Sequence, residues 1–130
     1  MKIQLDTLPT AWLIQGYARG EIRVRGPAAE GMEMVVHRRS LILVPDRCLE
    51  WEPQSFDDLA GGHFDAIAEL TPEVILIGSG ERLRLPSGPL LGRLASLGIG
   101  FEVMDTGAAC RTYNLLAGEG RRVAAALLIR

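Results

Sequence analysis

Val103-Met104-Asp105-Thr106-Gly107-Ala108-Ala109-Cys110-Arg111-Thr112-Tyr113-Asn114 reads as the end of a buried strand, a tight turn and the first turns of a helix. Phe101 to Met104 supplies the strand. Asp105 and Thr106 are residue types that hold the free N–H groups of a helix start. A strand running directly into a helix is half of a β-α-β unit, so the neighbouring segments decide the fold. Upstream, Val74-Ile75-Leu76-Ile77 is apolar without interruption, as a strand buried on both faces should be. Ser87 then caps a second helix, with Pro89 tolerated in its first turn. Leu90, Leu91, Leu94 and Leu97 recur in it at helical spacing, and Gly98 stops it. Downstream, Gly118-Glu119-Gly120 closes the helix begun at Thr106, and Val123 to Ile129 follows. Three alanines there favour helix by propensity, but the length and the alternating pattern favour strand, and strand is expected.

The second half is therefore a Rossmann-like β-α-β-α-β unit with at least two parallel strands. The first half reads as antiparallel β-structure. Trp12 to Tyr17 leads into a turn at Arg19-Gly20, and Ile22 and Val24 alternate with Arg23 and Arg25 until Gly26-Pro27. Met34 to Val36 and Leu41 to Val44 are further strands, the latter broken by Pro45-Asp46, and Leu49 and Trp51 suggest another. Ser55-Phe56-Asp57-Asp58 looks like a helix start, and Gly61-Gly62 divides it from a second helix over His63 to Leu70. The expected fold class is α/β: N-terminal antiparallel strands followed by the parallel half, in one domain spanning residues 1–130.

The composition sets bounds on function. With 48% hydrophobic residues and 23% charged, the chain has the makings of a packed core. A net charge of -2 argues against a nucleic-acid partner or an anionic bilayer surface, which favour a basic face. Cys48 and Cys110 form no CxxC, and His37 and His63 are not spaced as ligand pairs, so no metal or other cofactor is expected. Met1 to Asp6 carries an acid early and lacks a long apolar core, and no run is long enough to span a bilayer. A cytoplasmic protein with free thiols and no secretory signal is the expectation.

Parallel neighbours end on the same side of a sheet, so the loop Gly78-Ser79-Gly80-Glu81-Arg82 and the turn Asp105-Thr106-Gly107 should meet. The helix start there suits an anion or a carboxylate. Asp105 and Thr106 either cap the helix or engage a ligand. Cys110 is either a thiol activated by the helix dipole or part of an inward face with Tyr113 and Ala117 at i, i+3 or i+4 spacing; that spacing favours packing. Arg111 either contacts a partner or pairs with Glu81 or Asp105, and Asn114 lies one turn beyond Cys110. The glycines at 78 and 80 give only a weak dinucleotide signal, because Glu81-Arg82-Leu83-Arg84 separates them from the next helix.

These same residues carry a family resemblance. Gly78-Ser79-Gly80-Glu81-Arg82, Met104 to Asn114 and Gly120-Arg121-Arg122-Val123-Ala124-Ala125-Ala126-Leu127 are similar to the Mth938-like family. These are small α/β domains of unknown function that include the mitochondrial assembly factor for respiratory complex I. Weaker matches run through Ser55 to Leu59 and Gly20 to Gly26, so almost the whole chain is covered. The resemblance implies a three-layer fold with a mixed β-sheet, no established enzyme activity, and action by binding a protein partner. The Arg- and Ala-rich composition, without a mitochondrial targeting extension, points to a bacterial chain. Two functions follow as expectations. One is a non-enzymatic binding or assembly factor using the 78–82 loop, Asp105 and Arg111. The other is an anionic-ligand site or enzyme at the same strand ends. An exposed edge of the N-terminal strands would also allow a homo-oligomer.

Overall fold

The computed structural model describes residues 10–130, so the expectation for Met1 to Asp6 lies outside the described residues. Two sheets form. Strands β1 (Leu13–Ala18), β2 (Glu21–Arg25) and β3 (Met34–His37) make an antiparallel three-stranded sheet in that order. Strands β4 (Leu41–Val44), β5 (Arg47–Glu50), β6 (Val74–Gly78), β7 (Gly100–Met104) and β8 (Val123–Leu127) make a five-stranded sheet ordered β5-β4-β8-β6-β7. Within it β6 runs parallel to both β7 and β8, and β4 runs antiparallel to both β5 and β8. The antiparallel first half is thus divided: β1 to β3 form their own sheet, while β4 and β5 extend the main one.

The helices are α1 (Gly61–Ala68), α2 (Gly88–Ala95) and α3 (Thr106–Gly118). Helix α1 begins at the two glycines rather than after them, and Phe56–Asp58 is a short 3-10 turn. The α1 start is held by His63, whose Nδ1 accepts the Ala60 N–H at 3.0 Å. The chain steps outward from β6 to β7 and then back past β6 to β8. Right-handed crossovers in opposite directions put their helices on opposite faces. Accordingly Leu94 of α2 and Phe64 and Ile67 of α1 pack on one face with Ile75, Ile77, Ala124 and Ala126. Ala109, Cys110, Tyr113 and Ala117 of α3 pack on the other face with Leu76, Ala125 and Leu127, and with Ile14, Ile22 and Val24 of the small sheet. Three layers result, as the resemblance implied.

Strand β8 resolves the conflict between propensity and place. It lies at the centre of the main sheet, and all five of its residues are buried. Its alternating side chains face both cores, and alanines let helices approach closely from either side. Burial between two strands outweighs helix propensity there.

Candidate functional site

At the carboxyl ends of β6 and β7 the two loops are stitched together. The Thr106 N–H donates to Gly80 O at 2.9 Å, and the Gly80 N–H donates back to the Thr106 hydroxyl at 2.9 Å. That hydroxyl also donates to Leu128 O, and Thr106 is fully buried. Gly78 and Gly80 are required by the closeness of this joint. A Cβ on Gly78 would lie 2.9 Å from the Thr106 hydroxyl, and one on Gly80 would lie 2.7 Å from Arg130 O. Gly80 also sits at φ +110°, a region that disfavours side chains. Ser79 is buried, donating through Oγ to Arg82 O at 2.7 Å and accepting the Arg84 N–H at 3.1 Å. Asp105 caps α3 by accepting the Ala108 N–H at 2.9 Å. The 78–80 loop and the 105–107 turn do meet, and polar atoms of each are used to join them.

The rest of the central stretch fastens α3 to β1. Asn114 accepts the Ile14 N–H at 2.8 Å and donates to Ile14 O at 2.7 Å, standing in for a neighbouring strand. Tyr113 donates its hydroxyl to Trp12 O at 2.8 Å. Next to these bonds the register of β1 against β2 shifts between Ile14 and Gly16, and a cleft of about 250 Å3 opens. It is lined by Ile14 to Tyr17 of β1 and by Gly107, Cys110, Arg111 and Asn114 of α3. Tyr17 is the residue that sequence reasoning missed. In the chain it marks only a strand end, and its place at the cleft depends on α3 packing about ninety residues later.

Burial governs the titratable groups near the cleft. The Cys110 thiol is pushed up to about 12, chiefly by burial; Arg111 opposes that rise and Asp105 adds to it. The thiol is therefore held protonated and packed. The Tyr17 phenol is also raised, first by burial and then by its neighbours Glu81, Cys110 and Asp105. Across the molecule, His37 meets Cys48, Nε2 to Sγ at 3.5 Å, joining β3 to β5. Burial lowers the imidazole and raises the thiol to about 11, so the pair stays neutral.

Beyond Gly80 the chain runs over the surface. Glu81 accepts from Arg19 at 2.7 Å instead of pairing with Arg111. Arg84 pairs with Asp57 at 2.8 Å and lies 4.2 Å from the centre of the Phe56 ring. Leu83 and Leu85 are 58% and 66% exposed, beside the exposed Arg82.

Among the described residues no helix is long and apolar enough to cross a membrane. Comparison with known proteins gives consistent relatives. A Rhodobacter capsulatus protein termed uncharacterized is 39% identical over 118 residues, covering 88% of this chain and 82% of its own. A Francisella tularensis protein named "13 kDa major membrane protein" is 35% identical, covering 71% and 76% respectively. The Bos taurus "NADH dehydrogenase [ubiquinone] 1 alpha subcomplex assembly factor 3" is 32% identical over 92% of this chain, which spans 62% of that protein's length. A Bordetella parapertussis crystal structure is similar with a TM-score of 0.79 and 34% identity, covering 92% of this chain and 96% of its own. The solution structure of a Bordetella pertussis protein described as a Mth938-like domain matches with a TM-score of 0.77 and 29% identity, covering 98% and 92%. Residues 14–128 match the family described as "Protein of unknown function (DUF498/DUF598)", and the chain belongs to that family.

Proposed function

We propose that this chain is a non-enzymatic binding or assembly factor that docks a protein partner on the loop at 81–85. One observation carries the reading: this loop holds two leucines in solvent beside the exposed Arg82. Large apolar side chains flanked by arginine are the composition of interface anchors. The name of the Bos taurus relative, an assembly factor, points the same way. The side chains of Ser79, Asp105, Thr106, Tyr113 and Asn114 are engaged in folding bonds, which favours binding over chemistry.

Quantitative affinity capture from native cells tests this. The pair Leu83→Ser and Leu85→Ser is expected to weaken capture of a stoichiometric partner by about 2 kcal/mol or more, with the fold retained. Equal recovery by wild type and variant would exclude the loop as the docking face. The cytoplasm, where both free thiols stay reduced, is the proposed compartment. Recovery of the native protein in washed membranes after cell fractionation would contradict it.

A further inference from the structure

We propose that the cleft between β1 and α3 binds the carboxylate of a small organic acid. The site is separate from the 81–85 loop and does not rest on the partner reading.

Its geometry converges on Gly107. A Cβ built there would lie 3.4 Å from Tyr17 Cδ1, 3.4 Å from Asp105 Oδ1 and 3.5 Å from Arg111 Nη1. The Arg111 guanidinium and the Tyr17 ring therefore flank one small residue, with the Asp105 carboxylate beside them. Arg111 is exposed, and among the described residues it has no acidic partner within ion-pair distance. In the first turn of α3, the Thr106 N–H goes to Gly80 O and the Ala108 N–H to the Asp105 carboxylate. The Gly107 N–H is the first-turn amide without an acceptor among the described residues. The Tyr17 hydroxyl is buried and has no hydrogen-bond partner among the described residues. An orphaned buried hydroxyl is costly, and in native proteins it marks a missing partner. Helix amide, guanidinium and phenol together are a donor set for an oxyanion.

The surroundings select which oxyanion. Ile14 and the protonated Cys110 give the cleft an apolar side, fit for a short hydrocarbon body. Asp105 and Glu81 lie close enough to act on Tyr17 by their charge. A dianionic phosphate would meet both, whereas a monocarboxylate adds one charge opposite Arg111. The cleft, at about 250 Å3, is below the usual range for drug-sized ligands, which restricts the acid to a few carbons.

Titration of the 15N-labelled full chain with hexanoate, with hexanamide and hexylamine as controls of matched size, tests the site. Hexanoate should shift the amide signals of Tyr17, Gly107 and Arg111 saturably, and the controls should not. A peptide with a free C-terminal carboxylate is run in parallel. Response to hexanoate identifies a free acid, and response to the peptide alone identifies a protein terminus; silence to both overturns the proposal. Arg111→Gln should weaken binding about tenfold or more, as expected for a charge-assisted bond. Tyr17→Phe should weaken binding and leave Tm unchanged or higher, because it removes an unpaired hydroxyl. Gly107→Ala makes only ordinary contacts in the ligand-free protein and favours helix, so it should keep the fold while filling the site. Unchanged binding by Arg111→Gln and Gly107→Ala, or a lowered Tm for Tyr17→Phe, would show that these residues serve the fold alone.

Discussion

Cys110 shows how one residue type carries opposite meanings. A helix start can lower a thiol's pKa, yet this thiol packs among Ala109, Tyr113 and Ala117, and burial outweighs the opposing pull of Arg111. Desolvation of a thiolate costs more than a partial charge returns at this depth. Slow alkylation is the expected outcome. At neutral pH Cys110 should react with iodoacetamide no faster than Cys48, and both should react far more slowly than in the unfolded chain. Rapid modification of Cys110 alone, read by mass spectrometry, would restore the nucleophile reading. Thr106 follows the same logic: a hydroxyl at a strand end suggests ligand chemistry, but full burial and three backbone partners make it a structural joint.

At the scale of elements, α3 holds the layers together. Its small residues Ala109 and Cys110 allow close approach to β6 and β8, while Tyr113 and Asn114 reach β1. The Asn114 amide matches the Ile14 backbone in both directions, satisfying an N–H and a carbonyl where β1 has no neighbouring strand among the described residues. Asn114→Ala leaves both groups without their partner in a part-buried site. It is expected to destabilise the protein by about 2 kcal/mol, and Asn114→Asp, which keeps only the acceptor, should also lose stability. Urea unfolding measures both. A change below about 0.5 kcal/mol for the alanine variant would mean that water replaces the amide there.

For the molecule as a whole, the raised thiols predict an alkaline limit. Cys48 and Cys110 rise from an ordinary 9.0 to about 11 and about 12. Below the ordinary value both states hold their protons and the stabilisation is complete. As pH climbs from about 9 toward 12 the unfolded thiols ionise first, so stability falls across that window. Denaturation midpoints measured against pH should decline there, and less steeply in a Cys48→Ala, Cys110→Ala protein; parallel curves would remove the thiols as the cause. Much of the architecture was legible in the sequence. The unbroken apolar run at 74–77 marks a central strand, and Asp105-Thr106 marks a helix start because capping is local chemistry. The division of the antiparallel strands was not legible. The alternation in β2 specifies one buried face without saying which layer it meets. The cleft was hidden for a similar reason. Ile14 and Asn114 are one hundred positions apart, and Tyr17 has no local signature of its place.

The order of strands in the main sheet also bears on how the protein is made. Strand β8 joins β4 on one side and β6 on the other, and it is the last of the described strands to be synthesised. Until residue 127 has left the ribosome, the β4-β5 hairpin and the β6-β7 pair have no common neighbour, and each exposes an edge that β8 will later cover. The nascent chain is therefore most vulnerable to misassociation late in translation, when nearly all of its core residues exist and the strand that unites them does not.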